Sequence, residues 1–104
     1  MEIGMRISSE QTTVIRRIIA EESAQRAVQV YLFGSRLDDH RRGGDLDLLV
    51  QLENPVANPA WLAARLEARI SRYLEGREVD VLLSAPNLRR ARIHQIAERD
   101  GVLL

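Results

Sequence analysis

Cysteine is absent from the 104 residues, and so is lysine. The first absence excludes a disulfide scaffold, a thiolate metal site and a cysteine nucleophile. The second excludes a P-loop, since no GxxxxGK[ST] pattern can be written without lysine, and a GxGxxG dinucleotide fingerprint is missing too. An excess of charge of either sign is also lacking: 15 Arg face 15 Asp plus Glu, so the formal net charge is zero. A protein whose main task is gripping nucleic-acid phosphates carries net positive charge, so nucleic acid is not an expected partner. No apolar run approaches the roughly 18 residues of a membrane span, and the opening MEIGMRISSE shows no apolar h-region of a signal peptide. The expected compartment is therefore the cytoplasm, with no membrane association. Hydrophobic residues at 45% and charged residues at 29% describe a folded chain rather than a disordered one. Its length fits one domain, 1–104, with one modest core.

Hydrophobic periodicity orders the chain. From about Ser8 to Ala27 the residues Val14, Ile15, Ile18 and Ile19 recur at helical spacing, and Ser8 with Gln11 fits a capping box. Val28 to Phe33 is β-branched and aromatic and stops at Gly34, which predicts a buried strand. Ser35 to Gly44 is polar and reads as a loop, or a short helix plus loop. A second strand follows at Asp45–Leu52. Asn58-Pro59 has the form of an N-cap followed by Pro at the first helical position, and Leu62, Leu66, Ile70 and Leu74 then stripe a helix that Gly76 ends. Glu78–Leu83 is a third strand, and a last helix is predicted from about Pro86 to Arg99, closed by Gly101. Val102-Leu103-Leu104 adds a short edge strand. This order implies a small α/β (α+β) domain, a mixed sheet of three to four strands flanked by helices.

The chemistry starts with Asp45 and Asp47. Residues two apart in a strand point to one face, so both carboxylates project together while Leu46, Leu48, Val50 and Leu52 form an apolar row on the other face. Adjacent carboxylates repel, and a divalent cation resolves the conflict; oxygen-only ligands suit Mg²⁺. Asp-x-Asp is common, however, and the alternative is that Asp45 caps a turn after Gly44 while Asp47 is exposed. Asp80 weighs against that. It stands mid-strand between Val79 and Val81, where propensity and burial both disfavour Asp. With the third strand beside the second, three carboxylates share one face, as two-metal catalysis requires. Pairing of Asp80 with one of the arginines is the competing explanation. Gly34 lets the backbone approach a ligand closely. If Ser35 opens a helical turn, it offers hydroxyl and N–H groups to an anion, and Arg36 could add a charge-assisted contact to a phosphate oxygen; the alternative is a plain strand-to-helix turn with Ser35 as its cap. One part holds phosphates and the other the ions that polarise them, the layout for nucleotidyl transfer.

The stretch LFGSRLDDHRRGGDLDLLV together with VDVLL resembles the DNA polymerase β nucleotidyltransferase superfamily, whose signature is Gly-Ser, a short spacer, Asp-x-Asp and a later third Asp. In size the chain is similar to its minimal, MntA-like members. The resemblance covers nearly the whole chain and implies a nucleotidyltransferase-like fold. It implies that Gly34 and Ser35 contact a nucleoside triphosphate, that Asp45 and Asp47 bind two Mg²⁺ ions, and that Asp80 ligates the catalytic ion and helps activate an acceptor hydroxyl. Arg36 matches an arginine frequent in the minimal members. Many relatives have Gly a few residues after that Arg and Ser just before the first Asp, where this chain has Asp39 and Gly44. By the same resemblance the donor is ATP, the product is AMP on a protein hydroxyl, and the partner is a small helical HEPN-type toxin for which this chain is the antitoxin. Transfer to a small molecule, as in aminoglycoside nucleotidyltransferases, is the alternative, as is a nucleotide- or partner-binding module without turnover. Homo-oligomerisation is compatible with a core this small.

Other residues carry less. His40 reads as a solvated loop side chain and His94 as a partly buried helix residue. Trp61 and Tyr73 read as core or interface, Tyr31 as packing. Arg41 and Arg42 are within reach of a triphosphate, and Arg89, Arg90, Arg92 and Arg99 make the last helix basic, a solvated face or a match for an acidic partner.

Overall fold

The computed structural model describes residues 7–33 and 46–104, and within them three helices and four strands. Helix α1 spans Ser9–Ser23 and starts on the predicted capping box: Ser8 Oγ accepts the Gln11 N–H at 3.0 Å, and Gln11 Oε1 accepts the Ser8 N–H at 2.9 Å. It ends earlier than its apolar period implies. Ala24 takes the left-handed conformation at φ 61, and Ser23 Oγ donates to the Ile19 carbonyl, so the chain turns and Ala27 joins the following strand instead. Strand β1 is Ala27–Phe33, β2 is Leu46–Leu52, and α2 is Pro59–Tyr73. Pro59 occupies the first helical turn, but Asn58 makes no side-chain cap, so proline's fixed φ sets this start. At the other end Glu75 and Gly76 both have positive φ, and the Gly76 N–H donates to the Ser71 carbonyl at 2.8 Å.

Strand β3 is Val79–Ser84, helix α3 is Arg92–Asp100, and β4 is Val102–Leu103. The sheet order is β3-β2-β1-β4, with β1 antiparallel to both of its neighbours and β3 parallel to β2. The mixed four-stranded sheet is the expected architecture. Helix α3, however, begins six residues after Pro86 rather than there. Residues 85–88 form a turn closed by the Leu88 N–H on the Ala85 carbonyl, and the Asn87 side chain clasps both backbone groups of Val56, at 3.0 and 2.8 Å. Arg89 and Arg90 consequently precede the helix and do not belong to its surface.

Alternation divides the sheet into two unequal faces. Leu46, Leu48, Val50 and Leu52 of β2 are buried with Ile15, Ile18 and Ile19 of α1 and Leu62, Leu66 and Ile70 of α2, in one large cluster. Each such side chain contributes about 2 kcal/mol by leaving water. Under α3 the cluster is small: Phe33, Leu49 and Ala97, with Tyr31 and Leu82 against it. Polar bonds supplement it there. Gln51 Nε2 donates to Glu98 Oε2, and Arg90 donates to Glu98 Oε1 at 2.8 Å and to Ser84 Oγ at 3.2 Å. Trp61 and Tyr73 are not core residues: Trp61 is 56% exposed and Tyr73 lies at the surface, with the Arg65 guanidinium 5.5 Å from the Trp61 ring centre.

Candidate active site

Register decides which carboxylates meet. β2 pairs with β3 so that Asp47 stands directly opposite Asp80, with Leu46 opposite Val79 and Leu48 opposite Val81. Partners across adjacent strands point to the same face, and neighbouring strands lie about 4.8 Å apart. On the other side of β2, Phe33 is the partner of Asp47. One row across the sheet therefore reads Phe33, Asp47, Asp80, on the face that α3 partly covers. Leu46, one position back, is fixed by its N–H on the Glu78 carbonyl at 2.9 Å, which ties the starts of β2 and β3 together. Buried Leu46 and Leu48 hold the strand on its core side, so the Asp47 side chain has only the outer face to occupy. Asp47 is half-buried; Asp80 is exposed.

Gly34, Ser35, Arg36 and Asp45 lie outside the described residues, as do His40, Arg41 and Arg42. The described residues fix where the chain enters and leaves that stretch. It leaves β1 at Phe33 and re-enters β2 at Leu46, both at the end of the sheet that carries Asp47 and Asp80. The sequence puts Gly34 next to Phe33 and Asp45 two positions before Asp47. Among the described residues no three His, Cys, Asp or Glu side chains gather as a metal site, the row supplying two of the three predicted acids.

The donor set fits a hard divalent cation, since both side chains in the row offer carboxylate oxygens and sit on neighbouring strands of one face. Like charges held opposite each other destabilise a bare sheet and are relieved by a bound cation. His94 has no part in this. It is 5% exposed; its Nδ1 accepts the Ala91 N–H at 2.9 Å, and Nε2 lies 3.1 Å from the Leu83 carbonyl. Both ring nitrogens are thus used in starting α3 and tying it to β3, with Nε2 as the donor. Two contributors escaped the sequence. Phe33 reads as an ordinary strand residue, and Glu67 of α2 as one charge beside an apolar stripe; only the fold shows Glu67 Oε2 accepting the Val81 N–H, next to Asp80, at 2.9 Å.

Asp47 and Asp80 are thus brought together at the end of a mixed sheet, and in the sequence Gly34 and Ser35 directly follow β1. The family model for the nucleotidyltransferase domain matches residues 13–103, and the chain belongs to that family. That assignment agrees with a minimal nucleotidyltransferase of the polymerase β superfamily and makes a nucleotide the substrate. No curated protein matches the chain significantly. Among the described residues no helix is long and apolar enough to cross a membrane.

Proposed function

We propose that this protein transfers AMP from ATP to a hydroxyl on a protein partner, releasing pyrophosphate. The observation that carries the reading is the pairing of Asp47 with Asp80. Two carboxylates on neighbouring strands, at the end of the sheet where the chain leaves β1 at Phe33, are more than a structural sheet needs.

Asp45, Asp47 and Asp80 would hold two Mg²⁺ ions. Bound there, the ions supply charge neutralisation of the triphosphate and acidify the acceptor hydroxyl. Gly34 and Ser35 hold the β- and γ-phosphates through backbone N–H groups and the hydroxyl, and Arg36 meets a phosphate oxygen. Asp80, the exposed member of the row, orients the acceptor hydroxyl and receives its proton. The acceptor oxygen attacks the α-phosphorus as the bond to the bridging oxygen breaks. In this reading a partner presents the acceptor hydroxyl. A small helical HEPN-type toxin fits that part, with this chain as its antitoxin in the cytoplasm.

The test is ATP labelled at the α-phosphate, with Mg²⁺ and the co-purified partner. The expected result is label on the partner and a mass increase matching AMP, abolished by Asp47→Asn. Undiminished transfer by that variant overturns the site; label on a small molecule in place of protein overturns the acceptor.

A further inference from the structure

Among the described residues, strand β3 is an outer strand of the sheet, hydrogen-bonded to β2 on one side only. On its free side an outer strand presents backbone N–H groups with no ladder partner. One of these, on Val81, is taken by Glu67 Oε2 at 2.9 Å. Glu67 lies on α2 between the buried residues Leu66 and Ile70, at the flank of the stripe that packs on the sheet. A carboxylate accepting a backbone N–H makes a charge-assisted bond, shorter and stronger than a neutral one.

The position matters because Val81 follows Asp80. On its inner side Asp80 is in register with Asp47, a like charge. On that inner side β3 has only six residues of ladder to fix the spacing. The Glu67 bond holds the strand one residue away from Asp80, from the opposite side, on a helix anchored by Leu62, Leu66 and Ile70.

We infer that Glu67 is a positioning residue for Asp80: it braces the outer edge of β3 so that the two carboxylates stay at the spacing a shared divalent cation needs. The inference rests on the proposed metal-binding role of Asp47 and Asp80. General protection of a sheet edge is the competing role, and it differs in outcome: it lowers thermal stability without changing the affinity of the folded protein for metal.

The test is a Mn²⁺ titration of the intact chain, read by the electron paramagnetic resonance of the free ion, with a non-hydrolysable ATP analogue present. The variants are Glu67→Met, which keeps the stem and helix propensity but accepts no proton; Glu67→Gln, whose amide oxygen still accepts the Val81 N–H; and Asp80→Asn. Circular dichroism melts set a temperature at which every variant is folded. The expected result is Mn²⁺ affinity about ten-fold weaker in Glu67→Met, the scale seen for groups that orient metal ligands, and restored toward wild type in Glu67→Gln. Unchanged affinity in Glu67→Met, with Asp80→Asn impaired, overturns the bracing role and leaves the site standing. Equally weak binding in Glu67→Met and Glu67→Gln also overturns it, because the accepting oxygen is then not what matters. Wild-type affinity in Asp80→Asn overturns the site itself. If Glu67→Met does not fold, Glu67→Leu takes its place under the same criteria.

Discussion

Glu22 shows how one side chain can join two helices and make stability depend on pH. Its two oxygens accept from Arg65 at 3.0 and 2.9 Å, and Oε2 also accepts from Arg69 at 2.9 Å, so a single residue of α1 holds two of α2. Hydrogen bonding to Arg65, then to Arg69, outweighs desolvation and holds the Glu22 carboxyl below its usual range. A depressed folded-state value means the unfolded chain binds the proton more tightly. The contribution is therefore complete above the unfolded value of about 4.3 and is lost as pH falls through the folded one. The expected outcome is a melting temperature that drops below pH 4 in the wild type, and a Glu22→Gln variant that is less stable at pH 7 with a flatter acid limb. Melts from pH 2.5 to 7 check this; parallel curves would refute it. The sequence offers no sign of this cluster, since Glu22 and Arg65 are 43 positions apart. Asp80 is different, because a carboxylate between two valines in a strand already asks for an explanation. Its partner Asp47 was legible through Asp-x-Asp alternation, whereas Glu67 was not, because its role exists only across the β3 edge.

At the scale of elements, periodicity located every strand and helix to within a few residues except the start of α3. Strand β2 was legible because Leu46, Leu48, Val50 and Leu52 form an unbroken buried row, and the start of α1 because the Ser8 capping box is local. Residues 86–91 read as helix in the sequence because Leu88, Arg89 and Arg90 have ordinary helix propensity. What overrides them is tertiary: the clasp of Asn87 on Val56, a residue 31 positions away. The corner between α3 and β4 depends on Gly101 for space rather than for its φ of −80. A Cβ there would stand 2.4 Å from the Ala97 carbonyl oxygen, 3.0 Å from that of Leu32 and 3.3 Å from the Phe33 Cβ. Two of these are backbone atoms, which cannot swing aside, so the corner must shift. Gly101→Ala is expected to cost on the order of 2 kcal/mol, the range of overpacking effects, as read by urea denaturation. Because Phe33 is in the row with Asp47, nucleotide affinity should fall with it. A variant as stable as wild type would show that the corner yields freely.

For the molecule as a whole, a large apolar cluster lies on one face of the sheet and a small one on the other. The cluster between the sheet and helices α1 and α2 holds Leu48, Leu66, Ile15 and Ile70 at 0% exposure and supplies most of the apolar burial. The α3 face carries three buried apolar residues together with the Asp47–Asp80 row. Like charges directly opposite each other on a sheet are destabilising, so an empty site of the proposed kind is expected to work against folding, the usual tension between activity and stability. Replacing Asp80 by Asn removes that repulsion while keeping nearly the same volume at an exposed position. The empty variant is expected to melt at or above the wild-type temperature. A ligand that binds only the folded state adds RT ln(1 + [L]/Kd), about 2.7 kcal/mol at a hundred times Kd. For a chain of about 100 residues, that raises the midpoint by roughly 10 °C or more. Wild type should show such a rise with saturating ATP and Mg²⁺, and little with either alone. Asp80→Asn should lose most of it, so that the order of stability reverses between the empty and loaded states. Differential scanning fluorimetry across the four conditions reads this directly. A variant less stable when empty, yet equally stabilised by ATP and Mg²⁺, would mean that Asp80 serves the fold and not the ligand.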